Sequence, residues 1–337
     1  MESLVEVSGF WQDKRVLVTG ATGLIGAHLS ARLLDAGAEV AALVKDADLR
    51  SDLYRSRRIE RVAVFNGALE DFRALELALS QHEASVVFHL GAQTIVGAAR
   101  RSPLATFEAN IRGTYNLLDA CREHRDMVEA VIVASSDKAY GEQQDLPYRE
   151  EMSLSGRFPY EVSKSCTDLL ARSYHESYRL PVAVARCGNV YGGNDLNFSR
   201  IIPGTIRSLI KGEPPVIRSD GTYLRDYIYV RDVAGAYCLL AENINSPSVR
   251  GEAFNFSSES PCSVLEVVEA IQETMGIRHP APVVLDSASG EIRNQYLDAS
   301  KARRVLGWES RYTLEEGLAE TVDWYRDYFN VSGEEAG

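Results

Sequence analysis

Tyr160 and Lys164 are four residues apart, a spacing that places two side chains on the same face of a helix. A lysine ammonium about 4 Å from a phenol favours the phenolate by ~4 kcal/mol at an intermediate dielectric, or ~3 pKa units. The pair therefore predicts a phenol whose pKa approaches the working pH, as a general base requires. Composition alone gives roughly 0.3 such pairs in a chain of this length, so the pair needs support from a second pattern.

The second pattern is a glycine-rich segment that follows the apolar run 15–18 and precedes an amphipathic stretch. This order predicts a buried strand, a turn and a helix. Gly20 permits the tight turn, Gly23 lets backbone N–H groups approach a pyrophosphate, and Gly26 lets the helix pack closely on the strand. The helix N-terminus adds partial positive charge, so the segment predicts a dinucleotide site. The residues expected to contact the cofactor here are Gly20, Thr22, Gly23, Leu24, Ile25 and Gly26.

Short β-branched runs alternate with helical patterns from residue 15 to residue 187. Strands are predicted near residues 16–18, 40–44, 62–65, 86–90, 130–134 and 182–185. Such alternation predicts a parallel sheet with helices on both faces. Ligands of these sheets bind at the carboxyl ends of the strands, so segments 89–93, 135–138 and 186–189 should converge on one crevice.

The strand–helix alternation loosens after residue 191, where glycine and proline become frequent. We expect an α/β fold in which residues 1–187 form a doubly wound Rossmann domain for a dinucleotide. Residues 188–330 are expected to form mainly a smaller C-terminal α/β lobe for the substrate, with some chain returning to the first domain. Clefts between domains are common sites for small molecules.

Composition excludes several classes of protein. The chain has 337 residues, 45% of them apolar, and a formal net charge of −12, and it contains no dense basic run that would track nucleic acid. Its apolar runs are of strand length, which predicts no membrane span. Its cysteines and histidines form no CxxC or HxxxH pair. A reduced, cytoplasmic, metal-free protein is expected.

The chain resembles the extended short-chain dehydrogenase/reductase family of nucleotide-sugar enzymes over nearly its whole length. The resemblance rests on the glycine segment, the segment ending at Gln93, Asn110, a serine before Tyr-x3-Lys, and the motif at residues 225–230. It implies bound NAD, with NADP as the alternative, and a nucleoside-diphosphate sugar as substrate. In this family the helices near residues 103–124 and 158–178 form a dimer interface, so a homodimer is expected.

The resemblance also implies a catalytic trio of Ser136, Tyr160 and Lys164. Tyr160 would take the proton of the sugar C4 hydroxyl while hydride leaves C4. Lys164 would lower the pKa of Tyr160 and bind the nicotinamide ribose, and Ser136 would position the sugar oxygen. An intact trio disfavours a regulator that binds the dinucleotide without turnover.

Asp137 and Lys138 follow Ser136 directly, and sugar-nucleotide 4,6-dehydratases look similar here. The resemblance casts Lys138 as the base for the C5 proton and Asp137 as the acid for the departing C6 hydroxyl. Segments 9–14 and 188–203 are similar to the CDP-glucose members, whereas segment 225–230 resembles the family in general. A 4-epimerase needs only the trio, and the pair would then merely order the strand exit.

The remaining site residues are expected from the same resemblance. Asp46 could bind the ribose hydroxyls of NAD, and Lys45 could equally pair with the 2′-phosphate of NADP. Ala68 stands where the family generally has an aspartate that meets the adenine. The other expected cofactor contacts are Leu69, Leu90, Ala92, Gln93, Tyr160 and Lys164. The expected substrate contacts are Gln93, Asn189, Arg200, Arg225 and Arg293, of which the guanidinium groups suit a diphosphate.

Overall fold

The computed structural model of this chain describes residues 9–287 and 290–332, so residues 1–8 of the predicted first domain lie outside the described part. The strands are β1 (Arg15–Thr19), β2 (Glu39–Val44), β3 (Val62–Asn66), β4 (Val86–His89), β5 (Ala130–Ala134), β6 (Val182–Cys187), β7 (Asn189–Tyr191), β8 (Val216–Ile217), β9 (Leu224–Arg225), β10 (Tyr227–Tyr229), β11 (Ala253–Phe256), β12 (Cys262–Ser263), β13 (Val283–Val284) and β14 (Asn294–Gln295).

The α-helices are α1 (Leu24–Asp35), α2 (Asp52–Arg55), α3 (Phe72–His82), α4 (Val96–Arg101), α5 (Pro103–Phe107), α6 (Gly113–Glu123), α7 (Pro159–Tyr178), α8 (Ile201–Ile210), α9 (Val230–Glu242), α10 (Val264–Met275), α11 (Ser300–Leu306) and α12 (Leu314–Ser332). Three short 3₁₀ segments, Gly9–Trp11, Arg58–Arg61 and Asp137–Tyr140, and one π segment, Glu108–Arg112, complete the described elements.

Seven parallel strands form the central sheet, in the order β3-β2-β1-β4-β5-β6-β11. The predicted parallel sheet and its six strands are confirmed. Side chains alternate across the sheet: Val16 and Val18 pack with α1 and α9 on one face, and Leu17 packs with α3, α6 and α7 on the other. The predicted doubly wound arrangement follows from these two apolar layers.

β11 was not among the predicted strands. The chain enters it after a long excursion away from the sheet, and β11 then pairs with β6, with Phe254 opposite Ala185. This pairing places Asn255 beside the carboxyl end of the sheet, where it meets Tyr140 and Tyr148.

The long helix expected near residues 103–124 is interrupted by the π segment. Asn110 lies in it and binds the backbone of Gln93 from both sides: Oδ1 accepts from the Gln93 N–H at 2.7 Å, and Nδ2 donates to the Gln93 carbonyl at 3.0 Å. The same Nδ2 donates to Ser163 Oγ at 2.9 Å. π segments often occur at functional sites, and this one fixes the segment after β4 against α7.

The chain beyond β6 builds three small sheets outside the central one. β10 pairs with β7, β13 pairs with β8, and β9 pairs with both β12 and β14. An apolar cluster with members in α8, α10 and α12 holds these elements together. The domain boundary at residues 187 and 188 stays a prediction. Throughout residues 9–287 and 290–332, every helix is too short or too polar to cross a lipid bilayer.

A buried ion pair ties β6 to α7 below the carboxyl end of the sheet. Arg186 Nε and Nη2 donate to the two carboxylate oxygens of Asp168 at 2.7 and 2.8 Å, and both side chains are fully buried. Arg186 Nη1 also donates to the Tyr140 hydroxyl at 2.7 Å, which donates to Asn255 Oδ1 at 2.8 Å. This network anchors the turn Asp137–Tyr140 to the sheet.

We expect Arg186→Met to lower the free energy of unfolding by about 3–5 kcal/mol, because it leaves the Asp168 carboxylate buried without its partner. Urea denaturation of the purified variant measures this loss. The double variant Arg186→Met/Asp168→Leu removes both charges and should recover most of the stability. A double variant as unstable as the single one would show that the loss comes from packing and not from the unpaired charge.

Candidate active site

The carboxyl ends of β1, β4, β5 and β6 meet at one edge of the sheet, and α7 passes across it. The predicted convergence of the segments after these strands is confirmed. The edge holds the glycine loop after β1, the Gln93 segment after β4 and the turn that begins after β5. From α7 it receives Tyr160 and Lys164, both buried.

The glycine loop has the form that a dinucleotide requires. Gly20 has a φ of +71°, and a Cβ there would lie 2.7 Å from the Gly91 nitrogen. A Cβ on Gly26 would collide with the Gly20 carbonyl, so only glycine allows α1 to start this close to β1. At Gly23 a Cβ would meet a single atom within 4 Å, so the backbone there is open to a ligand. The first N–H groups of α1 have no carbonyl partner within the helix, so they are available to bind a pyrophosphate.

A second-lobe residue that the sequence did not single out fastens this loop. Asn194 Nδ2 donates to the Gly23 carbonyl at 3.2 Å, and its Oδ1 accepts from the Asp52 N–H at 2.6 Å. Asn194 has a φ of +70°, a conformation that asparagine tolerates better than most residues. The two glycines before Asn194 were the only sequence signal of a special turn here.

The other predicted cofactor residues follow the carboxyl ends of β2, β3 and β4. Lys45 and Asp46 are exposed just past β2, and Lys45 Nζ lies 3.4 Å from Glu70 Oε1. Ala68 and Leu69 follow β3, where the Leu69 carbonyl accepts from Asn116 Nδ2 at 3.2 Å. Leu90, Ala92 and Gln93 follow β4, next to the Gly91 N–H that donates to Thr19 Oγ1 at 3.0 Å.

The predicted trio is assembled at the centre of the crevice. The Tyr160 hydroxyl is hydrogen-bonded to Ser136. Ser136 Oγ also donates to Asp137 Oδ1 at 2.8 Å and accepts from the Lys138 N–H at 3.2 Å. Lys164 Nζ donates to the Ala134 carbonyl at 2.8 Å, which brings the ammonium to the carboxyl end of β5.

The expectation that Lys164 brings the pKa of Tyr160 towards neutrality is wrong for this structure. Burial raises the pKa of Tyr160 to about 12, against the lowering effects of the Arg200 cation and the Ser136 hydrogen bond. Burial also lowers the pKa of Lys164 to about 8, so its amine is still mostly protonated at neutral pH. Desolvation of the buried phenol has the largest effect on the pKa of Tyr160, ahead of the neighbouring cation.

Asp137 and Lys138 point into the same space although they are neighbours in the chain. In a strand they would point apart, but the 3₁₀ turn that begins at Asp137 brings Lys138 Nζ to 4.0 Å from Asp137 Oδ1. Asp137 is 1% exposed, and its Oδ2 has no hydrogen-bond partner within the described part of the chain. Burial lowers the pKa of Lys138. This pair therefore combines an unsatisfied carboxyl oxygen with an amine that loses its proton more readily than a free lysine.

Lys138 has one further partner that no sequence motif indicated. Its Nζ donates to Gln295 Oε1 at 3.1 Å, and Gln295 comes from β14, 157 residues along the chain. Among the described residues, no three His, Cys, Asp or Glu side chains are grouped so that they could hold a metal ion.

The predicted substrate residues divide into two groups. Arg200 is held by Asp195 at 3.0 Å, close enough to Tyr160 to act on its pKa. Arg225 is nearly buried in β9 and donates through Nη1 to the Arg293 carbonyl at 2.8 Å. The Arg293 side chain is exposed and bonded to Thr222. Asn189 is the first residue of β7, beside the crevice, and its backbone N–H donates to the Asp226 carbonyl at 2.7 Å.

Several known proteins are similar to this chain in sequence and fold. The CDP-glucose 4,6-dehydratase of Salmonella typhimurium is 30% identical over 342 residues, which cover 97% of this chain and 94% of the relative. The structure of a dTDP-glucose 4,6-dehydratase from Streptomyces venezuelae, solved with NAD bound, is 26% identical with a TM-score of 0.83 and covers 94% of this chain and 98% of that one. A UDP-glucose 4-epimerase from Thermotoga maritima, solved with UDP-glucose, is 29% identical with a TM-score of 0.85, covering 93% and 98%.

These relatives agree with the match to a family model. The model described as GDP-mannose 4,6 dehydratase matches residues 17–321, a span that runs from β1 to α12 and includes the glycine loop, the trio and the Asp137–Lys138 pair. The chain therefore belongs to the GDP-mannose 4,6-dehydratase family, among the extended short-chain dehydrogenases/reductases.

Proposed function

We propose that this protein is a nucleoside-diphosphate-sugar 4,6-dehydratase that converts its substrate to the 4-keto-6-deoxy sugar. The observation that carries the proposal is the Asp137–Lys138 pair, buried beside Ser136 and Tyr160 with one carboxyl oxygen unsatisfied. Elimination of water across C5 and C6 needs an acid and a base beyond the trio, and this pair supplies both types of group.

NAD fits this site, where it would supply a hydride acceptor for C4 and then a hydride donor for C6, so that no reductant would be consumed. The glycine loop and the start of α1 would hold its pyrophosphate, and Asp46 its adenosine ribose. Lys45, the candidate partner of an NADP phosphate, is already close to Glu70, which argues against NADP. Lys164, at the carboxyl end of β5, would bind the nicotinamide ribose.

Tyr160 removes the proton of the C4 hydroxyl while hydride leaves the same carbon. Ser136, bonded to the Tyr160 hydroxyl, holds the sugar oxygen in line with the phenol. The Arg200 cation favours the phenolate, and Lys164 joins it when its own amine is protonated. Burial raises the pKa of Tyr160, so bound substrate and cofactor must complete the lowering that catalysis needs.

The C4 ketone then makes the C5 proton acidic. Lys138, as a neutral amine, takes that proton, and Asp137, as a neutral acid, gives a proton to the C6 hydroxyl that leaves as water. One C–H and one C–O bond break and a C5–C6 double bond forms, so atoms and charge balance. Lowering of the Lys138 pKa by burial favours the neutral amine that this step requires.

The diphosphate is assigned to the two arginines of the second lobe. Arg225 is held in β9, whereas the Arg293 side chain is exposed and is hydrogen-bonded to Thr222. Arg200, Asn189 and Gln93 are proposed to contact the sugar and its first phosphate. Guanidinium groups bind phosphate oxygens in pairs, which suits this role.

A 4-epimerase remains the alternative, because the Thermotoga maritima epimerase has the same fold at similar identity. One experiment separates the two activities. The purified protein is incubated in D₂O with CDP-, dTDP-, UDP- and GDP-glucose, UDP-N-acetylglucosamine and GDP-mannose, and products are followed by mass spectrometry. A product lighter by one water and carrying one deuterium identifies the dehydratase and its nucleotide. A new isomer of unchanged mass contradicts the proposal and identifies an epimerase.

We further propose that the enzyme is a homodimer formed through α6 and α7. Leu169 is 55% exposed, and it borders an apolar depression with Ile111, Cys166 and Leu170. Leu117 and Leu118 belong to the core instead. Sedimentation at micromolar concentration should give a dimer, and Leu169→Asp should give a monomer.

We also propose a cytoplasmic location, in keeping with five free cysteines.

A further inference from the structure

Gln295 is 2% exposed and lies in β14, which pairs in parallel with β9 so that Gln295 stands opposite Arg225. Its Oε1 accepts a hydrogen bond from Lys138 Nζ at 3.1 Å. A lysine ammonium can only donate, so the oxygen of the amide must face it and Nε2 must face elsewhere. The contact with Lys138 therefore determines the orientation of the whole amide group.

The other end of this amide is unsatisfied. Gln295 Nε2 is buried and has no hydrogen-bond partner of normal geometry among the described residues. The neighbouring Tyr148 hydroxyl donates its own proton to the Gly141 carbonyl at 2.7 Å, so its oxygen can accept at most one of the two Nε2 hydrogens and leaves the other for a ligand. Asp137 Oδ2 is unsatisfied in the same way. A hydroxyl group both donates and accepts, so one sugar hydroxyl could satisfy the amide donor and the carboxyl oxygen together.

Gln295 also bears on the orientation of the Lys138 amine. A neutral amine carries two N–H bonds and one lone pair, and the lone pair must point at the carbon acid. Gln295 Oε1 holds one N–H at 3.1 Å, whereas Asp137 Oδ1 is 4.0 Å from the same nitrogen. Gln295 is therefore the stronger of these two acceptors for the neutral amine, and it restricts rotation of the amine about its last bond.

We propose that Gln295 is a positioning residue for elimination: its Oε1 orients Lys138 towards the C5 proton, and its Nε2 donates to a hydroxyl of the bound sugar. The inference rests on the proposed dehydratase function. Oxidation at C4, in which Tyr160 takes the hydroxyl proton, does not involve Gln295, so the two half-reactions should respond differently when the amide is changed.

Two variants separate orientation from simple packing. Gln295→Met keeps the volume but removes the acceptor, and we expect deuterium exchange at C5 to fall about 10- to 100-fold. Reduced nicotinamide should still form at the wild-type rate in a single turnover. Gln295→Glu keeps an acceptor but adds a negative charge near Nζ, which raises the pKa of Lys138. The acidic limb of the pH profile for C5 exchange should then move up by about 2 units.

Raising the pH should therefore restore exchange in Gln295→Glu but not in Gln295→Met. Gln272→Met is the matched control, because Gln272 is also buried but lies in α10, where Nε2 donates to the Arg278 carbonyl. The inference is overturned if C5 exchange is unchanged in Gln295→Met, or if the acidic limb of the pH profile does not move in Gln295→Glu. Either result leaves the dehydratase function intact. Failure of the wild type to eliminate water from any of the six sugar nucleotides overturns both.

Discussion

Tyr160→Phe is expected to lower kcat by about 10²- to 10⁴-fold, because it removes the phenol that takes the C4 proton as hydride leaves. The substitution removes one oxygen atom and leaves the ring in its buried place on α7. Binding of the nucleotide sugar should change little, so KM should stay within a few-fold of the wild-type value. Steady-state assays with the sugar identified by the substrate screen measure both constants.

Tyr174→Phe provides the matched control on the same helix. Its hydroxyl reaches Asp119 at 3.4 Å, away from the trio, and its loss should leave kcat unchanged. Both variants should also unfold at nearly the wild-type temperature. If Tyr160→Phe keeps more than about a tenth of the wild-type kcat, Tyr160 is not the general base and its hydrogen bond to Ser136 has only a structural purpose.

Lys138→Met should abolish elimination while sparing oxidation at C4. We expect the rate of C5 deuterium exchange and of water loss to fall about 10³-fold, because the base for the C5 proton is absent. Reduced nicotinamide should still appear in a single turnover, and its hydride should return only to C4, since C6 accepts no hydride until water has left. Rapid mixing with absorbance detection, followed by mass spectrometry, records both halves of the reaction.

The pH dependence of the wild type gives a second test of Lys138. A base must be unprotonated, so C5 exchange should rise with pH as Lys138 loses its proton. Burial lowers the pKa of Lys138, so this rise should lie below the range in which free lysine titrates. Lys138→Met should lack this limb of the profile.

Lys301→Met controls for the loss of a partly buried cation. The Lys301 side chain is 19% exposed, close to the 22% of Lys138, but it bonds Glu252 and lies away from the trio. Its substitution should leave exchange and elimination unchanged. If Lys138→Met still exchanges C5 deuterium at the wild-type rate, Lys138 merely orders the strand exit, and an epimerase becomes the better description.

Much of the fold was predictable from local patterns. The six predicted strands occur, because alternation of β-branched runs with helical stretches leaves few ways to bury both apolar layers. β11 was not predicted, because its four residues can be recognised as a strand only from their pairing with the edge of β6. The π segment at Asn110 escaped for a similar reason, since its sequence reads as ordinary helix and only its contacts with Gln93 and Ser163 distinguish it.

The sequence by itself determined the features that depend on neighbouring residues: the glycine loop before α1, the shared face of Tyr160 and Lys164, and the adjacency of Asp137 and Lys138. Backbone geometry fixes such relations over a few residues. Tertiary structure alone decided that Gln295 meets Lys138, and that Asn194 fastens Gly23 from 171 residues away. It also decided that the pKa of Tyr160 rises to about 12. Desolvation depends on all the groups packed around the phenol, and the spacing of residues along the chain does not indicate that packing.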